Sequence, residues 1–251
     1  MTPAVPTPSG YYRVSRAPRY SLLFALPLLV LYELLAAGLQ SSNGGIRNGA
    51  DVMLKSLVSS IAGPEGPRIV SAAIVVTMLG LAWRDARRNP GSLRASVFTW
   101  MMVESIVLAA VFGAIVGLVT AQLVNVVTAP GLAIGTLDRF GVPTAVTLSL
   151  GAGLYEELVF RVILVSALIG IGKHVLKWGP VATATLAVLG GAAVFSLVHY
   201  VGPLGDTFTL QSFVFRMVAG LAFSGLYVTR GFGITAWTHA LYDIFLVLAR
   251  G

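Results

Sequence analysis

The sequence predicts an all-α integral membrane protein, a bundle of about seven transmembrane helices, or eight, around a polar intramembrane cavity. Three observations carry this prediction. Of 251 residues, 56% are apolar and only 11% charged, whereas an ordinary soluble domain is about a quarter charged. The mean hydropathy is +0.85. The apolar residues also gather in runs near or above the roughly 20 residues that cross a bilayer as a helix. Barrel strands would instead show ~10-residue alternating segments.

Taken in order, residues 1–19, MTPAVPTPSGYYRVSRAPR, are Pro-rich and read as a disordered cytoplasmic lead-in. Residues 20–39 form the first span. It follows a positive flank as a signal peptide would, but it contains Glu33 and lacks a clear small-residue cleavage site, so it reads as retained. Residues 46–62, IRNGADVMLKSLVSSIA, place apolar residues at helical spacing with Arg47, Asp51 and Lys55 between them. This is the pattern of an interfacial helix, or alternatively of a re-entrant segment. Further spans follow at 67–83, 96–124, 143–172, 180–201, 210–229 and 232–249. The connections 40–66, 84–95 and 125–142 are too short for a soluble domain, and there is no internal repeat.

Orientation follows from the cations near span ends. With the N-terminus in the cytoplasm, the inner segments hold Arg13, Arg16, Arg19, Arg84, Arg87, Arg88, Arg94, Lys173, Lys177 and Arg230. The outer ones hold Arg47, Lys55, Arg68, Arg139 and Arg250, so ten stand against five and favour N-in, C-out. The net charge of +7 is then mostly a topology signal. Its cations form no continuous basic stripe, so the lipid bilayer is an expected partner and nucleic acid is not. The absence of cysteine excludes disulfides, thiol catalysis and Cys-ligated metals. The Cys-free, Ala/Gly/Arg-rich composition points to a multi-pass protein of a prokaryotic cell membrane.

The ionisable residues inside the spans are Glu33, Glu104, Glu156, Glu157, Arg161, His199, Arg216, His239 and Asp243. Each charge costs roughly 2.5–3.5 kcal/mol at a helix centre, so such residues face a bundle interior or a wet cavity. In YEELVFRV, residues 155–162, Glu157 and Arg161 are four apart and share a helix face in the favourable acid-before-base order. Glu156 points about 100° away, which leaves one carboxylate beside a neutralised pair. The structural alternative is an ion-pair network of all three with another span through Arg216. FSLVHY places Phe195 and His199 four apart, and HALYDI does the same for His239 and Asp243. A lone helical histidine is commonly a satisfied core residue. Two of them, with carboxylates on three spans, are most cheaply accommodated in one shared cavity. Glu33 and Glu104 read as structural partners for Arg216, and GGIRNGAD reads as an ordinary turn, with a lid or gate loop as the alternative.

These residues, Glu156-Glu157-x-x-x-Arg161, Phe195-x-x-x-His199 and His239-x-x-x-Asp243, resemble the three motifs of the CAAX-protease and bacteriocin-processing (CPBP) family. Its best-known branch is the Ras-converting-enzyme type of intramembrane endopeptidase. Residues 219–243, AGLAFSGLYVTRGFGITAWTHALYD, also resemble the stretch leading into the family's last motif. The resemblance covers roughly residues 142–249. It implies a CPBP-like catalytic helical core at 142–251, preceded by N-terminal transmembrane helices at 20–141.

The implied activity is glutamate-type endoproteolysis of a membrane-associated protein or peptide, with no cofactor. By position, Glu156 and His199 would hold and activate a water, Glu157 and Arg161 would orient the site, and His239 and Asp243 would stabilise the oxyanion or position the substrate. Arg161 is followed by Val162 where many members have Gly, and position 243 is Asp where the well-studied branch has Asn. Ionised Asp only accepts hydrogen bonds, so Asp243 would serve by holding His239 or by being protonated. A zinc site of His199, His239 and one carboxylate, Glu156 or Asp243, is the mechanistic alternative. A transporter and a non-catalytic immunity or binding protein are the functional ones.

Overall fold

Charges that must avoid lipid decide how this bundle is put together. The computed structural model describes residues 8–39, 45–124, 135–202 and 205–249, and among them every regular element is helical. They are α1 (Pro8–Ser15), α2 (Pro18–Leu39), α3 (Gly49–Ala62), α4 (Gly66–Arg88) and α5 (Ala95–Val124). Then come α6 (Val142–Val175), α7 (Pro180–Val198), α8 (Leu210–Arg230) and α9 (Phe232–Ala249). Among the described residues seven helical stretches are long and apolar enough to cross a membrane, with α3 and α4 together forming one of them, Gly49–Arg88. The protein is a multi-pass all-α membrane protein, as the composition predicts.

The chain nevertheless bends sharply between α3 and α4. A 3₁₀ turn, Gly63–Glu65, joins them, and α3 folds back so that a Cβ on Gly66 would meet Ser59 at 2.4 Å. An interfacial helix turns its charges outward. Here Asp51 and Lys55 are buried while Val52, Met53, Leu57 and Ile61 are exposed. The cause is Glu33 on α2, which lies 2.7 Å from Lys55 and 3.0 Å from Arg47. Asp51 completes the set at 2.8 Å from Arg47 and 2.7 Å from Lys55. Two acids and two bases neutralise one another away from lipid, the condition for holding charge there.

The N-terminal lead-in also departs from expectation over part of its length. Residues 1–7 lie outside the described residues, but Pro8–Ser15 is helical. Tyr11 donates to Glu104 at 2.6 Å, and Arg230 caps α1 by stacking over Tyr12 at 4.1 Å and donating to Ser15 at 3.0 Å. Arg230 also holds Glu104 through both carboxylate oxygens, at 2.5 and 2.7 Å. The partner of Glu104 is therefore Arg230 and that of Glu33 is Arg47 with Lys55, rather than Arg216. Arg216 is taken instead by Asp206, Ser212 and Tyr200.

Helix α9 is the central post. It packs against α2, α5, α6 and α8, and Trp237 donates from its indole nitrogen to the Phe24 carbonyl of α2 at 2.7 Å. Gly153 lets α6 meet α9, since a Cβ there would lie 2.3 Å from the Ala236 carbonyl oxygen. Close approach through small residues is the usual basis of helix association in lipid. That contact sets the first and third motifs side by side.

Candidate active site

A cavity of about 470 Å³ runs between α6, α7, α8, α9 and the segment leading into α3. Glu156, His199, His239 and Asp243 line it, whereas Glu157 and Arg161 do not. All six residues are therefore gathered at one place, four on the cavity wall and two behind it.

The pair behind the wall forms first in the logic of the chain. Residues Ala152–Val165 of α6 are hydrogen-bonded in the wider i→i+5 π pattern, a geometry that is rare and frequent at functional sites. Within it the Arg161 Nε stands 3.2 Å from Glu157 Oε2, the pairing expected from the four-residue spacing, and both side chains are buried. The Arg161 guanidinium lies over Phe195 at 4.3 Å and Phe223 at 5.6 Å, and its Nη2 reaches the Gly220 carbonyl at 3.5 Å. Aromatic faces and a carbonyl thus stand in for water around a charge that lipid would not tolerate.

Glu157 directs its other oxygen at His239. Its Oε1 lies 2.7 Å from His239 Nδ1, and Phe223 stacks on the His239 ring at 4.3 Å with 21° between planes. Imidazole orientation is fixed on the edge by a carboxylate and on the face by an aromatic ring. The remaining nitrogen, Nε2, lies 3.7 Å from Asp243 Oδ2 and 4.0 Å from Glu156 Oε2. The sequence leaves Asp243 either holding His239 or protonated; the carboxylate that accepts from His239 Nδ1 is Glu157, and Asp243 stands at the opposite nitrogen.

His199 follows the last turn of α7, with Nδ1 2.7 Å from the Phe195 carbonyl oxygen. A carbonyl only accepts, so a proton sits on Nδ1, and in the neutral imidazole Nε2 keeps its lone pair. His199 packs edge-on against Phe195 at 4.9 Å, which explains why this motif pairs the two residues four apart.

Glu156, the carboxylate left over in the sequence, has a partner that the sequence does not announce. Asn48 Nδ2 donates to Glu156 Oε1 at 2.9 Å. The amide cannot turn over at no cost, because its Oδ1 accepts from the Ala50 backbone N–H at 2.9 Å as the N-cap of α3. The Asn48 backbone N–H donates in turn to Tyr32 Oη at 3.2 Å, and Tyr32 donates to Asp51 at 2.7 Å. A Cβ at Gly151 would strike both Tyr32 and Asn48, so glycine there admits the whole assembly. Residues 46–50 of GGIRNGAD are thus part of the cavity wall rather than a remote turn. Gly44, the first residue of that stretch, lies outside the described residues. Arg47 lines the cavity too. Burial works against its charge, but the hydrogen bonds to Asp51 and Glu33 outweigh that and hold its pKa above the usual value.

Chemically, the wall offers two acceptors, the Glu156 carboxylate and the bare nitrogen of His199, beside an imidazole and a second carboxylate. Among the described residues no group of three His, Asp or Glu side chains stands at metal-holding spacing.

Residues 138–245 match the family model described as "Type II CAAX prenyl endopeptidase Rce1-like". The match takes in every residue of the three motifs and agrees with the CPBP resemblance; Asn48 lies outside it. No curated protein and no solved structure gives a significant match.

Proposed function

We propose that the chain is a membrane protease that hydrolyses peptide bonds of membrane-associated proteins or peptides by a glutamate-type mechanism, a reading supported by the match of residues 138–245 to the Rce1-like endopeptidase family model. One observation carries the proposal. Glu156 and His199 line the same cavity as acceptors, with Asn48 fixing the first and the Phe195 carbonyl fixing the tautomer of the second.

A water between them donates one hydrogen to the Glu156 carboxylate and the other to His199 Nε2, which leaves an oxygen lone pair for the scissile carbonyl carbon. As the C–O bond forms, Glu156 takes the proton and the carbonyl oxygen becomes an oxyanion. His239 answers that charge. Its Nδ1–H is committed to Glu157, so it donates from Nε2 only as the imidazolium, a form that Glu156, Glu157 and Asp243 surround with negative charge. Collapse of the tetrahedral intermediate breaks the C–N bond, and Glu156 returns its proton to the leaving amine. Glu157 and Arg161 act as positioning residues, since neither lines the cavity. Asp243 supports the His239 charge rather than donating to the oxyanion. The zinc alternative would draw on the same His199, His239 and one carboxylate, Glu156 or Asp243.

The test compares protein termini in membranes carrying the wild type or Glu156→Gln at equal abundance. Termini that occur only with the wild type are expected. Identical termini would favour an immunity or binding protein, and substrate flux without cleavage a transporter.

A further inference from the structure

The site faces one end of the bundle, and the cations lie at the other. The starts of α2, α5 and α9 meet the ends of α4 and α8 at the first end. Arg19 donates to the Asn89 carbonyl, the Arg94 N–H to Tyr20 Oη, and the Gly233 N–H to Ser21 Oγ. Residues 45–48, 137–140, 199–202 and 205–206 lie at the second end, and the cavity wall includes Ile46, Leu137, Phe140 and Asp206 from them. Val201 lines the cavity while 73% exposed, so the cavity reaches the surface there.

Ten Lys and Arg residues flank the spans at the first end and five at the second. Ion pairing trims both counts: Lys55 is buried and Arg47 pairs with Glu33 and Asp51 at the second end, while at the first Arg230 is held by Glu104 and Arg19 stands 3.7 Å from Asp85, so the excess stays at the first end. Arg68 is matched by Glu65 at 3.0 Å. Cations concentrate on the cytoplasmic side of a membrane protein, so the first end is cytoplasmic and the mouth of the cavity is not.

We infer that the site opens on the face away from the cytoplasm and cuts membrane-tethered polypeptides whose scissile bond lies in or just above the non-cytoplasmic leaflet. This rests on the proteolytic reading above. It sets the chain apart from the chemistry in its family's name, because a prenylated Cys-a-a-X terminus approaches the membrane from the cytoplasm. The wall suits an extended peptide from the other side, with Met53, Leu148, Phe160 and Phe215 as apolar surface and Arg216 with Asp206 towards the mouth.

The chain has no cysteine, so single cysteines report cleanly on sidedness. Val201→Cys is placed at the mouth and Leu93→Cys in the opposite loop, which is 49% exposed. In intact cells a membrane-impermeant maleimide should label Val201→Cys, and Leu93→Cys only after permeabilisation. The converse pattern overturns the inference. In the same cells, termini dependent on Glu156 should map to the non-cytoplasmic side of their proteins. Glu156-dependent termini on the cytoplasmic side would overturn the assigned substrate class while leaving proteolysis intact. The absence of any such termini would sink the proteolytic reading and the substrate class with it, even with the labels as expected.

Discussion

Asn48 and Glu156, 108 positions apart, are joined by a 2.9 Å hydrogen bond from the Asn48 amide to the Glu156 carboxylate. The donor comes from the N-terminal half, outside the family-matched segment, so the proposed base is positioned by a part of the chain that carries none of the three motifs. Asn48→Asp keeps the N-cap of α3 but turns a donor into an acceptor facing Glu156. A hydrogen bond to a charged group contributes about 1.5–3 kcal/mol, and 1.4 kcal/mol is about tenfold in rate. The expected result is a fall in kcat of roughly 10- to 100-fold, measured on folded protein because a second carboxylate against Glu156 also lowers thermal stability. Full activity in Asn48→Asp would reduce Asn48 to a cap.

Arg161→Leu should be a folding defect before it is a catalytic one. It strands the Glu157 carboxylate, which is fully buried, and breaking a buried pair costs about 3–5 kcal/mol. Thermal unfolding in detergent should show a clear loss of stability. Arg161→Lys keeps the charge but loses the planar contact with Phe195 and Phe223, and should fall between the two.

Glu157→Gln separates orientation from charge. Its amide oxygen still accepts from His239 Nδ1, so the ring keeps its place, but the carboxylate beside the imidazolium is gone. We expect a loss in kcat of about 100-fold or more, as for removal of an oxyanion donor, with KM little changed in the same steady-state assay. A pure rise in KM would contradict the role assigned to His239.

Gly153→Ala places a methyl group 2.3 Å from the Ala236 carbonyl oxygen, backbone that cannot move aside cheaply. Helix α9 must shift, and His239 with it, so stability and activity should fall together. Gly190→Ala, whose Cβ would make ordinary contact at 3.7 Å with Leu168, is the matched control and should behave as wild type.

Exhaustive chelation should leave the purified protein active. Loss of activity on chelation, restored by one equivalent of zinc, would make His199 and His239 metal ligands instead of a water acceptor and an oxyanion donor.

The sequence makes some of this legible and hides the rest for physical reasons. The spans, the Glu157–Arg161 pair and the three motifs are local, set by length or by a four-residue period, and a local rule finds them. The inward face of α3 is not local. Apolar residues at helical spacing say that Gly49–Ala62 has two faces, but in lipid the charged face turns inward wherever a counter-charge waits, and Glu33 stands 22 positions from Lys55. Glu104 meets Arg230 for a similar reason, since a long guanidinium at a span end can reach back into the bundle. Disorder is expected for residues 8–15 on composition, yet Tyr11 and Tyr12 give that stretch an aromatic surface on which Arg230 can settle. Asn48 carries the weakest signal of all, an uncharged residue in a Gly-rich stretch whose importance lies wholly in what it touches.

Whether Glu156 is the reacting base is decided by single-turnover cleavage in proteoliposomes by wild type and Glu156→Gln, using a substrate taken from the mapped termini. If Glu156 is the base, the variant folds, retains substrate and forms no product within the time of many wild-type turnovers. Cleavage by Glu156→Gln at a rate near that of the wild type would contradict the mechanism and place the base elsewhere.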